Sequence, residues 1–284
     1  MSEPQSKTSP PSSGDTSSNP PQGEPDIQVL HLECPRHGVF EAYGRTAGAG
    51  MPIAQACPRC CDERYHDDET RRREARRQHA EQQMRSRRMR EIVAAAEIPA
   101  RFRDDSLENF NATNAGQRLV HGVCCAYAKT WPEQLQKGGG LLMTGQPGTG
   151  KTHLACAIAH AVMANHMSTV KYGTVSSLSR GIRATYGARS EKSESEAMAD
   201  LVRPDLLIID EVGAQSGSSH EMQLLFEVID SRYRELKPTI LISNLNAKQL
   251  EEFIGQRAMD RFSECGPVLA FDWASHRSSQ EGMA

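Results

Sequence analysis

The stretch that most constrains this chain is Gly145–Thr152, which reads Gly-Gln-Pro-Gly-Thr-Gly-Lys-Thr. Glycines at these spacings let successive backbone N–H groups wrap around phosphate oxygens, and a following helix adds its positive N-terminal end. The apolar residues 140–143 indicate a strand before the loop, and the pattern from about Thr152 to Asn165 indicates a helix after it. This order predicts an α/β domain with a parallel sheet that binds a nucleoside triphosphate.

The loop residues have distinct predicted roles. We expect the Lys151 ammonium to neutralise the β and γ phosphates, and the Thr152 hydroxyl to bind magnesium. The predicted nucleotide-binding residues are Gly145, Gln146, Pro147, Gly148, Thr149, Gly150, Lys151, Thr152 and His153.

A second apolar run, 206–209, ends in Asp210 and Glu211. Four consecutive apolar residues indicate a strand buried on both faces, which delivers its last side chains to the edge of the sheet where ligands bind. Asp210 is predicted to bind magnesium, directly or through water. Glu211 is predicted to orient or deprotonate the attacking water, so hydrolysis of the nucleotide is expected.

Polar residues after a third apolar run are further candidates. Asn244 follows the strand predicted over 239–243, where it either senses the γ-phosphate or simply forms a turn. Arg257 and Arg261 lie four residues apart on one face of a predicted helix. Each is interpreted either as half of a structural ion pair or as an arginine finger that acts across a subunit interface.

Four of the eight cysteines cluster between Cys34 and Cys61. The pairs Cys34/His37 and Cys57/Cys60 have the spacing of tetrahedral zinc ligands, and four protein ligands predict a structural site. Three alternatives stay open. Cys61 could replace Cys60 as a ligand, or His37 could be a free side chain that binds no metal. The cysteines could also be thiols that bind no metal at all. A segment this short needs such a metal, because its own apolar core is too small.

The segment between the cysteines and the phosphate loop is strongly basic, although the whole chain has a formal charge of −3. Nine arginines fall between Arg71 and Arg90, in a stretch without proline or glycine that predicts one long helix. This helix is either a solvated spacer or a surface for nucleic acid phosphates or an acidic partner.

The sequence gives no sign of a membrane location. No apolar stretch reaches the ~18 to 20 residues that a bilayer span needs, and Met1–Pro25 has neither the basic start nor the apolar core of a signal peptide. We therefore expect a cytoplasmic protein without a membrane partner. The Ser- and Pro-rich start predicts a disordered tail.

In combination these motifs resemble the AAA+ ATPase domain of bacterial DnaC-type helicase loaders, and the related IstB transposition helpers share much of the pattern. The resemblance covers roughly Ile98 to Arg277 and includes the terminal Phe-Asp-Trp-Ala-Ser-His-Arg of 271–277. It implies an ATP and magnesium site at Lys151, Thr152, Asp210 and Glu211. Asn244 becomes the first sensor, and Arg257, Arg261 and Arg277 become candidate sensor or trans-acting arginines.

The resemblance also implies contacts with single-stranded DNA. They fall on Arg180, Arg183 and Tyr186, a cationic pair with an aromatic ring that can stack on a base. The alternative interpretation of Tyr186 is that its ring packs a helix and does not contact DNA. A family Ser-Lys-Tyr contact is replaced here by Ser218-Ser219-His220, which weakens the contact expected of Ser218 and His220.

The resemblance implies an ATP-dependent helicase loader of phage type. Its N-terminal region would dock on the DnaB-type replicative hexamer, and its ATPase domain would assemble into an ATP-dependent ring or spiral on single-stranded DNA. Two alternatives are an IstB-like transposition helper and a zinc-knuckle nucleic-acid-binding regulator whose assembly ATP controls. The predicted regions are a disordered tail over 1–26, a zinc-binding knuckle over 27–66, an arginine-rich helical linker over 67–97, an AAA+ ATPase domain over 98–277 and a C-terminal tail over 278–284.

Overall fold

The computed structural model describes residues 27–45, 56–187, 192–214 and 219–275. The predicted tails, together with Ser218 and Arg277, lie outside these ranges. The chain divides into two compact units, 1–80 and 81–284, and the boundary falls inside a helix. The sheet of the second unit is all parallel, as expected for an AAA+ α/β domain.

The first unit is built from a hairpin and the start of a long helix. Strands β1 (Ile27–Cys34) and β2 (Gly38–Arg45) pair antiparallel, and Cys34 faces Gly38 across the turn. Gly38 has φ +74°, a left-handed conformation that glycine adopts without strain. Cys34 and Ala42 are buried, whereas the alternate residues Val29 and Val39 are exposed. The hairpin therefore buries one face only.

Helix α1 runs from Pro58 to Ala95 and so begins earlier than the predicted linker at 67. Proline is well tolerated in the first turn of a helix, where its missing N–H would have no partner, and no breaker follows it. The helix also continues into the second unit, because Ile92 and Ala96 belong to that unit's hydrophobic core. Its last turns therefore pack within the second unit.

The second unit holds a five-stranded sheet in the order β4-β5-β6-β3-β7. The strands are β3 (Leu141–Gly145), β4 (Val170–Thr174), β5 (Leu206–Val212), β6 (Thr239–Ser243) and β7 (Val268–Phe271). Leu206 and Ile208 pack in one hydrophobic cluster and Leu207 and Ile209 in the other, so β5 is buried on both faces.

Helices cover the sheet on both sides. They are α2 (Ala115–Lys129), α3 (Trp131–Lys137), α4 (Lys151–His166), α5 (Val175–Arg183), α6 (Glu194–Val202), α7 (Ser219–Arg234), α8 (Ala247–Ile254) and α9 (Gln256–Cys265). Short 3₁₀ turns lie at Ala100–Phe102 and Ala184–Tyr186. None of the helices in the described ranges combines the length and apolar character needed to cross a bilayer.

Candidate nucleotide site and metal centre

The loop between β3 and α4 has the backbone shape of a phosphate cradle. Gly145, Gly148 and Gly150 all have positive φ, at +131°, +78° and +97°. At Gly145 a Cβ atom would lie 2.2 Å from the carbonyl oxygen of Phe271, so only glycine fits there. Gly150 is the N-cap residue of α4. Because glycine has no side chain to accept hydrogen bonds from the first N–H groups of the helix, these groups can bind an anion.

The Lys151 residue is only 5% exposed, and its ammonium lies within this loop. Its Nζ donates to the carbonyl oxygens of Gly145 at 2.7 Å and Gln146 at 2.8 Å. These two bonds fold the side chain back over the loop from the first turn of α4. The predicted phosphate cation is thus placed against the cradle.

The acidic side of the site is formed at the end of β5. Asp210 is 6% exposed, and its Oδ2 accepts a hydrogen bond from the Thr152 hydroxyl at 2.9 Å. Its Oδ1 accepts the backbone N–H of Glu211 at 2.7 Å. A hydroxyl and a carboxylate at this separation are the oxygen donors that magnesium prefers, so the residues present fit the ion.

Glu211 is exposed and has φ +59°, in the left-handed region that a residue with a Cβ adopts at a cost. The pairing of β5 with β6 is also irregular between Ile209 and Val212. This local distortion turns the backbone after Asp210, and Glu211 lines the same cleft as Asn244 and Lys151. The structure therefore brings together the residues predicted at the ends of β3, β5 and β6.

Several cleft residues were not predicted as site residues. Trp273 donates its Nε1 proton to the carbonyl oxygen of Thr149 in the phosphate loop at 3.0 Å. Phe110 lies against Gly150, and the Tyr172 hydroxyl donates to Asp210 Oδ2 at 2.8 Å. Trp273 and Phe110 do fall in segments that carry the family resemblance, which is the signal that could have pointed to them.

His153, predicted with the phosphate loop, faces the segment before α2. Its Nδ1 lies 3.2 Å from the Asp105 carboxylate, and its Nε2 lies 3.2 Å from the Ser106 carbonyl oxygen. Its ring also contacts Phe110, with centroids 5.5 Å apart. His153 thus fixes the wall of the cleft that carries Phe110.

In the first unit, Cys34, His37, Cys57 and Cys60 bring their ligand atoms within 4.8 Å of one another. The Cys34 and Cys60 sulfur atoms are 3.7 Å apart, close to the edge of about 3.8 Å expected for Zn–S bonds of about 2.3 Å. His37 Nδ1 lies 3.3 Å from Cys60 and 3.7 Å from Cys57. Cys61 is exposed and stays outside the cluster.

The environment of the cluster shifts the pKa values of two of its thiols in opposite directions. The backbone N–H groups of Arg36 and then His37 lower the pKa of the Cys34 thiol to about 6. The hydrogen bond that Cys60 shares with Cys34 raises the Cys60 pKa to about 11. His37 Nε2 lies 2.9 Å from Glu63 Oε1, which directs Nδ1 towards the sulfur atoms. Three cysteine sulfurs and one imidazole form a ligand set that suits zinc.

The family described as IstB-like ATP binding protein matches residues 72–263 of the chain. The chain belongs to this family. Among curated relatives, the replicative helicase loader DnaC of Buchnera aphidicola (subspecies Acyrthosiphon pisum) is 30% identical over 196 residues, which cover 69% of this chain and 78% of that protein. The loader DnaC of Escherichia coli K12 is 30% identical over 178 residues, 62% of this chain and 71% of that protein.

The fold agrees with this membership. A crystal structure of the DnaC helicase loader superposes with a TM-score of 0.56 at 20% identity, covering 61% of this chain and 99% of that one. This IstB-like protein is therefore an ATPase of the AAA+ class. The assignment follows from its family membership, its phosphate loop and the Asp210–Glu211 strand end.

Of the family's candidate arginines, Arg261 is engaged within its own chain. It forms an ion pair with Asp230, and its guanidinium lies 5.3 Å from the ring centroids of both Phe226 and Tyr233. This geometry favours the structural reading of Arg261. Arg257 is exposed and lies 5.9 Å from the Phe226 ring, so it is the more available of the two.

The residues that the resemblance assigns to single-stranded DNA lie around the end of α5. Arg180 and Arg183 are exposed, and Tyr186 is 52% exposed. Tyr186 and His220 meet edge to face with ring centroids 6.0 Å apart. Arg183 lies 3.4 Å from the Glu221 carboxylate. The structure thus brings Tyr186, Arg183 and His220 to one surface.

Proposed function

We propose that this ATPase loads a DnaB-type replicative helicase onto single-stranded DNA in a cycle driven by ATP. The observation that carries the proposal is the 30% identity to a replicative helicase loader over 78% of that protein's length. The described geometry supports it, because the chain combines an ATPase cleft, an exposed surface with arginines and an aromatic ring, and a separate cysteine–histidine unit.

In the proposed cycle, ATP and magnesium bind in the cleft between the phosphate loop and the ends of β5 and β6. Lys151 neutralises the β and γ phosphates, and Thr152 and Asp210 hold magnesium. Glu211 orients the attacking water and accepts its proton, and Asn244 contacts the γ-phosphate. Subunits assemble into a ring or spiral, in which Arg257 or Arg277 contacts the nucleotide of a neighbouring subunit.

The DNA-binding part of the proposal uses the surface at the end of α5. Arg180 and Arg183 would contact phosphates, while Tyr186 would stack on a base. His220 abuts Tyr186 and would support its ring. Because Arg183 faces Glu221, phosphate binding would compete with that pair, which makes Arg180 the stronger contact.

The N-terminal unit would dock on the helicase. We propose that Cys34, His37, Cys57 and Cys60 bind one zinc ion that holds the hairpin against the start of α1. The metal is structural, because four protein ligands leave no open coordination position. A rigid hairpin with an exposed face is suited to protein contact, and the basic residues of α1 follow directly.

The docking proposal is tested by mixing the protein with the replicative helicase of the same host and measuring the mass by light scattering. We expect a defined complex that C57S loses, while K151A retains the N-terminal contact. If C57S forms the complex as well as wild type does, the N-terminal unit is not part of the interface. Absence of a complex at micromolar concentration would favour the transposition helper or the DNA-binding regulator.

The ATPase assignment is tested with two variants and a surface control. K151A is expected to abolish ATP binding, because the phosphates lose their buried cation. E211Q should bind ATP but hydrolyse it at least ~10²-fold more slowly, because the attacking water loses its general base. E251Q, on the exposed face of α8, should behave as wild type. Equal turnover by wild type and E211Q would refute the role of Glu211.

A further inference from the structure

Asp210 receives a third hydrogen bond from a residue that belongs to neither of the two nucleotide motifs. The Tyr172 hydroxyl donates to Asp210 Oδ2 at 2.8 Å, beside the Thr152 hydroxyl at 2.9 Å. With the Glu211 N–H on Oδ1, both oxygens of this carboxylate are held. We propose that Tyr172 is a positioning residue for the magnesium ion, acting by fixing the orientation of the Asp210 carboxylate. This inference rests on the proposed function, in which Asp210 holds magnesium.

The three donors to Asp210 differ in what else they do. Thr152 is itself a predicted magnesium ligand, and the N–H of Glu211 belongs to the backbone of the same strand. The Tyr172 hydroxyl comes from the neighbouring strand β4, where Thr174 pairs with Asp210. It therefore holds the carboxylate from the side, independently of the phosphate loop. Partners that hold a metal ligand in place commonly contribute 10- to 100-fold to metal affinity.

The Tyr172 hydroxyl is placed to act as a lasting donor. Its side chain is 7% exposed and belongs to the apolar cluster between the sheet and α4. A phenol carries its proton at neutral pH, so the Tyr172 hydroxyl can donate to the Asp210 carboxylate, as the 2.8 Å contact shows.

The backbone of Tyr172 is fixed as well. β4 is the edge strand of the sheet, and on its outer side the Tyr172 N–H donates to the Ala96 carbonyl oxygen at 2.8 Å. The adjacent Lys171 Nζ lies 2.5 Å from Glu97 Oε1. The two residues that follow α1 therefore hold this part of β4 in place. Tyr172 is anchored on both sides, as a residue that sets the orientation of a ligand must be.

The test compares Y172F with wild type and with Y127F in the full-length protein. Phenylalanine removes one hydroxyl and keeps the ring. Tyr127 is a matched control, because its buried hydroxyl also donates one hydrogen bond, to Gly139 at 2.7 Å, but it does not line the cleft. Metal binding is followed by the electron paramagnetic resonance of free Mn²⁺ in the presence of ADP. Nucleotide binding is followed separately with a fluorescent ADP analogue in EDTA.

We expect Y172F to raise the Mn²⁺ concentration at half saturation about tenfold, with nucleotide affinity in EDTA unchanged. Y127F should match wild type in both measurements. An unchanged metal midpoint in Y172F would overturn the proposal. An equal rise in Y127F would overturn it too, because the effect would then come from general loosening of the core.

A double-mutant cycle gives a second, independent measurement. If Tyr172 acts through Asp210, adding Y172F to D210N should leave the nucleotide affinity measured with Mg²⁺ unchanged from that of D210N alone. A further loss in the double variant would show that Tyr172 acts elsewhere and would refute the proposal. Thermal unfolding of each variant confirms that the compared proteins are folded.

Discussion

The two units of this ATPase are stabilised by different means. Among residues 29–43 and 56–80, whose burial the structure describes, the buried apolar residues are Cys34, Ala42 and Cys57, two of which are candidate metal ligands. The second unit buries two large apolar clusters, one on each face of its sheet. A short segment cannot bury enough surface to offset its conformational entropy, whereas the sheet unit can. The first unit should therefore depend on zinc and the second on packing.

The largest expected effect comes from removing a zinc ligand. Structural zinc contributes about 10 kcal/mol or more to small domains, so C57S should unfold the hairpin completely. Hydrogen exchange over 27–45 and the zinc content measure this loss. The neighbouring C61S is the matched control, since Cys61 is exposed and outside the cluster. A comparable loss in C61S, or a lower melting temperature of the ATPase unit in C57S, would break the comparison.

A core truncation probes the other unit. Leu154 on α4 is fully buried, so L154A should lower the free energy of unfolding of the ATPase unit by about 3 kcal/mol through lost burial and a cavity. Denaturant unfolding measures this change, and the zinc content should stay at one equivalent. L119A, on the exposed side of α2, should cost far less. Loss of zinc in L154A would show that the two units are not independently stabilised.

A smaller effect is expected outside the zinc ligands. Glu63 holds the Nε2 side of His37, so E63A should weaken zinc binding about tenfold, measured by competition with a chelator. D62A, exposed on the same turn of α1, serves as the control. Equal affinities of E63A and D62A would show that His37 needs no orienting partner.

The smallest effect is expected at a helix cap of the ATPase unit. The Asn114 side chain accepts a hydrogen bond from the Gln117 N–H at 2.8 Å at the start of α2. N114A should lower the unfolding free energy of this unit by about 1 kcal/mol, while N114S keeps an acceptor and most of the stability. Thermal unfolding resolves the pair. Equal losses of unfolding free energy in N114A and N114S would show that the cap does not stabilise α2.

Much of the sheet and its edge could be predicted from sequence because local patterns determine them. The apolar run 206–209 gives a strand buried on both faces, and Asp210 then falls at its carboxyl end. Helix α1 begins at Pro58, nine residues before the predicted helical linker, because proline is tolerated in the first turn of a helix and does not mark its end here.

Contacts between distant segments could not be predicted in this way. The Trp273 bond to Thr149, the Tyr172 bond to Asp210 and the Arg261 pair with Asp230 each join residues from different elements. No periodicity encodes such a pairing, because it depends on how the elements pack. The resemblance supplied candidate arginines, but only the packing of α7 against α9 showed that Arg261 is engaged.

Because Trp273 is hydrogen-bonded to the phosphate loop, the intrinsic fluorescence of the protein can report on the nucleotide cleft. The chain has two tryptophans: Trp131 is 1% exposed within the core, and Trp273 lines the cleft. Indole emission depends on the polarity around the ring, so a change in native fluorescence on adding nucleotide would originate mainly at Trp273. Trp273 could also transfer excitation energy to a fluorescent nucleotide bound beside it. The occupancy of this ATPase can thus be read by light, without attaching a label to the protein.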